Sequence, residues 1–311
     1  MGTFLPHTPV VTIIMATYNR SNIVTYAIQT VLSQTEQDWE LLVIGDHCTD
    51  NTADVIASFN DPRIRFINLP ANIGEQSGPN NVGLKQARSE FIAFLNHDDL
   101  WFSNHLAACL DTIRLTTADL VFGVCALVMP DGQVNIGEVM PDSKYHPAYF
   151  IPASGWLFRK EIVNEVGYWL SYRAIWLYPS HDWLRRVYRK GKRIVPIRQL
   201  TWLAIPSGNR KNSYSERQSE EHAYYFSQIS TNPAFKEELL TKVVFDQREQ
   251  QSRFEGGKLM WQGAKNTIKK RFIALGLTPV ELRFMWQFWW KGKALDKLRQ
   301  TRGLPKLNRN E

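Results

Sequence analysis

An α/β fold, built on a mostly parallel sheet flanked by helices and followed by a helical extension, is what this amino-acid sequence predicts. Three observations carry the expectation. The first hundred residues alternate short, β-rich apolar runs with helix-patterned segments. Each run ends in polar or acidic residues, and beyond residue 232 the chain turns helical, basic and aromatic. Repeated β-α units imply right-handed crossovers and a sheet covered on both faces.

The elements follow in order. Val10–Met15 is an unbroken β-rich run, as expected of a strand buried on both faces. Ser21 stands at an N-cap position before a helix expected over 22–33. Leu41–Ile44 is a second strand closed by Gly45, and Thr49–Phe59 a second helix opened by polar capping residues. Arg63–Asn68 reads as a third strand, Asn80–Arg88 as a third helix and Phe91–Leu95 as a fourth strand. Leu120–Met129, the turn Pro130-Asp131-Gly132 and Gln133–Val139 form a hairpin. Helices are expected at about 160–166 and 181–190. Residues 1–232 are the expected α/β domain and 233–311 a C-terminal extension.

The chain has 311 residues, 44% hydrophobic and 22% charged, enough to bury a sizeable core. No run approaches the roughly 18 apolar residues of a membrane span. Met1–Pro9 lacks the basic start and apolar centre of a secretory signal. The three cysteines, Cys48, Cys109 and Cys125, form no CxxC pair, which argues against a disulfide framework or a thiolate zinc site and fits a reducing cytosol. The net charge of +7 is uneven: from Lys258 onward thirteen basic residues meet three acids. A tail of that kind looks like an attachment device for something anionic.

Ligands of open α/β sheets bind at the carboxyl ends of the strands. Those ends here are Ala16-Thr17-Tyr18-Asn19, Gly45-Asp46-His47 and Asn96-His97-Asp98-Asp99. Adjacent carboxylates such as Asp98 and Asp99 repel unless a cation or a ligand hydroxyl neutralises them, and hard oxygen donors suit Mg2+ or Mn2+. The competing reading is a solvated pair capping the next helix. Asp46 suits a nucleobase imide or a ribose hydroxyl, or else an Asx turn. Asp182 is either a helix cap or a general base that deprotonates an acceptor hydroxyl. The loop Pro206–Tyr214 is basic, so that Arg210 or Lys211 could pair with a phosphate oxygen, or it is a solvated loop.

Five blocks together resemble family 2 glycosyltransferases: VVTIIMATYNR (10–20), LLVIGDHCTDNT (41–52), NIGEQSGPNNVG (72–83), EFIAFLNHDDLW (90–101) and SHDWLRRVYRKGKRI (180–194). The resemblance covers about residues 9–215. It implies the Rossmann-like GT-A fold, inversion at the anomeric carbon and a nucleotide-sugar donor, UDP-sugar favoured. On that resemblance Thr17, Tyr18, Asn19, Asp46, Asn80 and Asp98 lie along the nucleotide. Asp99, with Asp98 sharing, binds Mn2+ or Mg2+ at the diphosphate. Asp182 is the catalytic base, and Gly155, Trp156 and His181 line the acceptor side, where an indole suits stacking on a sugar. The metal would neutralise charge on the departing diphosphate. The chain departs from the pattern at Gly45 and Asn96, where the family often has Asp, at Asn80, often Arg, and near Ile205, where a histidine is common.

The tail adds a second expectation. Phe284, Met285, Trp286, Phe288, Trp289 and Trp290, flanked by Lys291 and Lys293, suit the headgroup region of an anionic membrane, or else pack on the catalytic domain. The setting expected is cytoplasmic, peripheral on the inner face of the cell membrane, with a saccharide or lipid-linked saccharide acceptor in surface polysaccharide synthesis. Nucleic-acid binding is disfavoured by the acidic strand ends and the lack of a motif. A catalytically weak or inactive nucleotide-sugar-binding protein of the same fold is the alternative.

Overall fold

The computed structural model describes residues 7–137, 144–147, 149–176, 178–252, 286 and 291–306. Among the described residues nine strands form one sheet: β1 (Val11–Thr17), β2 (Trp39–Gly45), β3 (Ile64–Asn68), β4 (Phe91–Phe94), β5 (Asp99–Trp101), β6 (Leu120–Val128), β7 (Val134–Gly137), β8 (Trp156–Arg159) and β9 (Ile194–Ala204). Their order is β3-β2-β1-β4-β8-β6-β9-β5, with β7 paired to β6 outside that path. The first four strands are parallel neighbours, as the alternating pattern predicts. Beyond β4 the sheet is mixed: β8 runs antiparallel to β4 and β6, β9 parallel to β6, and β5 antiparallel to β9.

The helices are α1 (Ser21–Leu32), α2 (Thr52–Ala57), α3 (Ser77–Gln86), α4 (His105–Thr116), α5 (Ile162–Val166), α6 (Pro179–Arg189), α7 (Glu220–Thr231), α8 (Phe235–Ser252) and α9 (Lys293–Thr301). Ser21 is the first residue of α1 rather than its cap, and its hydroxyl bonds Asn51 instead. Strand alternation sends β1 side chains into two cores. Val11, Ile13 and Met15 pack with Val24, Ile28 and Leu110, while Ile14 packs with Leu42, Leu84 and Leu184 on the other face. The extension expected beyond residue 232 begins inside a third core, where Phe235, Leu239 and Val243 of α8 meet Leu100, Val128 and Leu203.

No described helix is long and apolar enough to cross a membrane. Of the aromatic run 284–290 only Trp286 is described, 83% exposed. The membrane-facing reading of the other aromatics lies outside the described residues. The helix that follows is described, and it packs on the part of the chain that carries the sheet. Ala294 and Leu295 of α9 are buried, and Leu298 lies so close to Gly208 that a Cβ added there would sit 2.6 Å from its Cδ1.

Candidate active site

The register of the parallel strands decides where the polar strand ends meet. Thr17 is opposite Gly45, and Ile14 opposite Phe94, so the residues after β1, β2 and β4 emerge together along one edge. They open into a cleft of about 560 Å3 lined by Thr17, Tyr18, Asp46, Asn96, Asp98 and Asp99. Its far wall is aromatic, with Phe150, Tyr172, Tyr178 and Tyr214. Its roof is α9 and the turn after it, through Leu295, Leu298, Arg299, Arg302 and Leu304.

Thr17 is 3% exposed and its hydroxyl has no hydrogen-bond partner among the described residues. A buried hydroxyl left unpaired is costly unless a ligand satisfies it. Asp46 is engaged by the backbone that follows β3. Its Oδ1 accepts the Ile73 N–H at 2.8 Å and its Oδ2 the Gly74 N–H at 2.7 Å. Asn72 Nδ2 also donates to the Asp46 carbonyl at 2.8 Å. The 72–76 loop is thereby pinned to the end of β2. Burial raises the Asp46 pKa, with the two amide donors opposing it.

The acidic pair is asymmetric. Asp99 Oδ2 accepts from Ser154 Oγ at 2.5 Å and Asn96 Nδ2 at 3.0 Å, and Oδ1 from the Ile205 N–H at 3.3 Å. Burial, then the neighbouring Asp98 charge, push its carboxyl up to about 7. Asp98 Oδ2 accepts the Ser207 N–H at 2.8 Å. Although burial opposes its charge, His97 and Arg302 beside it hold Asp98 far below the usual carboxylate range. His97 bridges the wall, Nδ1 lying 3.0 Å from the Ala16 carbonyl and Nε2 3.2 Å from the Tyr214 hydroxyl.

The acidic strand ends are expected to hold Mn2+ or Mg2+. Among the described residues no cluster of three or more His, Cys, Asp or Glu side chains is placed to hold an ion. Both oxygens of Asp99 are engaged by protein donors, and Asp98 already has two basic neighbours, His97 and the Arg302 guanidinium. These residues do not fit a resident divalent cation.

The departures from the family pattern have local causes. A side chain at Gly45 would meet Asn68 Oδ1 at 2.6 Å and the Phe66 ring at 2.9 Å, so an aspartate has no room there. Asn96 supplies the amide donor that holds Asp99. Ile205 is a fully buried apolar residue of the third core.

Other expected site residues lie elsewhere. Asn19, at φ 49°, braces the 48–50 loop through its Oδ1 to the Thr49 N–H at 2.8 Å. Asn80 is buried within α3, and Gln76 and Pro79 of that region line the cleft. Arg210 is ion-paired to Glu221 and faces a separate hollow, while Lys211 is exposed. Trp156, expected to stack on an acceptor sugar, is fully buried against Trp183 at 5.8 Å and cannot do so. A side chain on Gly155 would meet Trp202 Nε1 at 2.6 Å, so this glycine serves packing. His181 is 1% exposed, stacked on Phe150, and held neutral by burial and Arg185, its pKa lowered to about 4. Asp182 lies outside the cleft lining among the described residues. Its Oδ2 accepts Arg186 Nε at 2.8 Å, and Arg186 also donates to the Val166 and Tyr168 carbonyls at 2.5 and 2.8 Å. Ser180, two residues earlier on α6, lines the cleft instead.

Sequence reasoning missed Arg299 and Arg302 altogether. Leu295, Leu298, Arg299 and Arg302 are spaced i, i+3, i+4, i+7, one face of a helix. That periodicity was the available signal, and counting the arginines as tail charge concealed it.

The model of Glycosyl transferase family 2 matches residues 12–167, half of the chain. Among curated relatives, 113 residues are 36% identical to UDP-Glc:alpha-D-GlcNAc-diphosphoundecaprenol beta-1,3-glucosyltransferase WfgD of Escherichia coli, covering 36% of this chain and 44% of that one. A match over 169 residues is 36% identical to poly(ribitol-phosphate) beta-N-acetylglucosaminyltransferase TarP of Staphylococcus aureus, half of each chain. The chain thus spans about half the length of these relatives. By structure it is similar to S. aureus TarS 1-349 in complex with UDP-GlcNAc, with TM-score 0.54 and 18% identity over 94% of this chain and 90% of that one. It is similar also to mannosyltransferase PcManGT from Pyrobaculum calidifontis in complex with GDP-Man and Mn2+, at TM-score 0.53 and 14% identity, covering 91% and 89%. These likenesses establish the GT-A fold. The matched segment contains every strand end that opens into the cleft from β1, β2 and β4, and on it the chain belongs to glycosyl transferase family 2.

Proposed function

We propose that this protein transfers a sugar from a nucleoside-diphosphate sugar, a UDP-sugar in the first instance, to a hydroxyl of a saccharide or lipid-linked saccharide during surface polysaccharide synthesis, with inversion at the anomeric carbon. The observation that carries the reading is the unpartnered Thr17 hydroxyl, buried in a cleft formed by the carboxyl ends of β1, β2 and β4. Related proteins whose names specify UDP-glucose or N-acetylglucosamine support the donor class.

In this reading Thr17 and Tyr18 lie along the nucleoside, and the loop pinned by Asp46 forms the edge of its pocket. Bond breaking leaves negative charge on the diphosphate, and a preorganised positive field lowers that barrier most. The acceptor enters from the aromatic wall of Phe150, Tyr172 and Tyr178, whose faces suit sugar rings. The Asn96 and Ser154 donors on Asp99 keep the floor of the cleft in one geometry.

A second reading, donor binding with little turnover, is favoured by one observation: Asp182 is held by Arg186, outside the cleft. A single set of titrations and assays separates the two. UDP, GDP, CDP and TDP are titrated calorimetrically into wild type and Thr17→Val. Release of nucleoside diphosphate from the matching sugar donors is then followed with a panel of saccharide acceptors. One nucleotide binding wild type and about tenfold more weakly to Thr17→Val, with acceptor-dependent release, is the expected result. Binding without release across the panel selects the second reading. Absence of binding by every nucleotide sinks both.

A further inference from the structure

We propose that Arg299 of helix α9 and Arg302, the residue that caps its end, are the diphosphate clamp of this cleft and supply from within the chain the positive charge that a divalent cation would bring. The proposal rests on the donor reading given above and adds the residues that answer the donor's charge.

The geometry comes first. The two arginines are three residues apart at the end of α9, so they project from one face with Cβ atoms about 5–6 Å apart. Both line the cleft together with Thr17, Asp46 and Asp98. A guanidinium presents planar, paired N–H donors that match phosphate oxygens two at a time. Two such groups on one helical turn match the two linked phosphates of a nucleoside diphosphate.

The helix is held in place by contacts that do not involve a ligand. The Asn212 N–H donates to the Thr301 carbonyl at 2.7 Å and the Tyr214 N–H to the Arg302 carbonyl at 3.1 Å. Arg299 Nη1 donates to the Gly74 carbonyl at 2.9 Å, tying α9 to the loop that Asp46 pins, and Arg299 Nε donates to the Pro305 carbonyl at 2.8 Å, which leaves the rest of its guanidinium for a ligand. Leu298 fills the space above Gly208. The arginines are therefore presented by a rigid element, and no ordering on binding is required of them.

The unsatisfied valence comes second. Arg302 lies over the Tyr214 ring at 5.4 Å, and its Nε–H is buried with no hydrogen-bond partner among the described residues. A buried, unpaired charged donor is costly, and a phosphate oxygen is the ligand that removes the cost. The carboxylates cannot do so fully, because Asp99 is engaged by Ser154, Asn96 and Ile205, and Asp98 accepts from Ser207. The nearby Asp98 charge favours the protonated Arg302 guanidinium. The other basic candidates are committed or remote: Arg210 pairs with Glu221, and Lys211 is exposed.

The test uses the full chain and four probes, UDP, UMP, uridine and inorganic pyrophosphate, titrated in EDTA and again in Mn2+. Wild type binds UDP in EDTA and prefers it to UMP. Arg302→Gln, Arg299→Gln and the double variant lower UDP affinity about tenfold to a hundredfold. The UDP-to-UMP preference collapses toward one, uridine affinity is unchanged, and Arg302→Lys recovers part of the loss. Unchanged uridine binding also certifies that the variants are folded. An unchanged UDP-to-UMP ratio overturns the clamp. So does an equal loss of UDP and uridine, which would mean that α9 merely packs, and so does wild-type UDP binding that requires Mn2+. If wild type binds no nucleotide but binds pyrophosphate in an Arg302-dependent way, the donor reading fails and the clamp stands. If it binds neither, both fail.

Discussion

Asp182→Asn separates a base from a helix staple, and the structure gives each role a different size. Asp182 sits in the first turn of α6, where Pro179 opens the helix, and reaches Arg186 one turn on at 2.8 Å. The two side chains are 23% and 21% exposed, so the pair is partly screened by solvent. An i, i+4 pair of this kind, together with an anion near a helix N-terminus, is worth about 1 kcal/mol. Asparagine keeps the shape but loses the charge, while Arg186 retains the Val166 and Tyr168 carbonyls. The expected loss is about 1 kcal/mol, or roughly 2–4 °C in Tm for a domain of this size. Removing a general base would instead lower kcat by about 10²- to 10⁴-fold. The assay is thermal unfolding beside steady-state turnover of a UDP-sugar, on Asp182→Asn and on Arg186→Gln, which breaks the same pair and leaves the carboxylate in place. We expect Asp182→Asn to lose those few degrees, Arg186→Gln to lose more because it also gives up the Val166 and Tyr168 carbonyls, and both to keep kcat within a few-fold of wild type. A hundredfold or greater fall in kcat for Asp182→Asn alone, at unchanged Tm, refutes the staple and restores Asp182 as the base.

Three further outcomes are expected. Asp99 has its carboxyl pushed up to about 7, so the native state holds a proton that the unfolded chain, near 3.8, releases; its contribution to stability falls as pH rises from about 4 to 7, by at most about 1.4 kcal/mol per pH unit. Because buried His97, His105, His181 and His222 all have lowered pKa values and act in the opposite direction, the readout is the urea midpoint of wild type minus that of Asp99→Asn, which should fall steadily across that window; a difference independent of pH counts against a shifted Asp99. Trp156→Ala should cost about 3–5 kcal/mol as a core cavity, with Trp156→Phe much milder and KM for the acceptor unaltered in the milder variant; a selective rise in acceptor KM would return the indole to the acceptor site. Gly208→Leu puts side-chain atoms into the space of Leu298, so it should displace α9 and weaken UDP as Arg302→Gln does, with α1 to α6 intact by circular dichroism; wild-type UDP affinity would mean that α9 is not fixed by that contact.

What was legible in the sequence follows the range of the interactions involved. The β1 to β4 half could be read because its strands are continuous apolar runs with short connections, and chain order there nearly equals sheet order. Asp46, Asp98 and Thr17 could be found for the same reason, since a parallel sheet places every strand end on one edge. The pairing of β5 with β9 joins Asp99 to Ala204 across about a hundred residues, and no local pattern announces it. Trp156 was misplaced because the burial of an indole is a property of its neighbours, here Trp183 from one element and Phe94 from another. Asp182 is the instructive case: its partner Arg186 was visible at i+4, and that salt-bridge spacing within one helix sets a second role beside the one the family resemblance implies.

The basic C-terminal segment shows why total charge misleads about function. Counted together, its cations look like a surface for binding an anionic partner. In the fold, one amphipathic turn sends Arg299 and Arg302 inward beside Asp46 and Asp98, while Lys291, Lys297 and Lys306 are at least partly exposed. The sign of the charge is the same at all five positions, but desolvation differs, and a guanidinium inside a cleft acts on a phosphate through a lower effective dielectric than a lysine in water does. The acidic strand ends carry three aspartates that would repel a diphosphate. Two arginines arriving from about 200 residues away change that balance, which makes the extension part of the site, held there by the 206–214 loop and the Gly74 carbonyl.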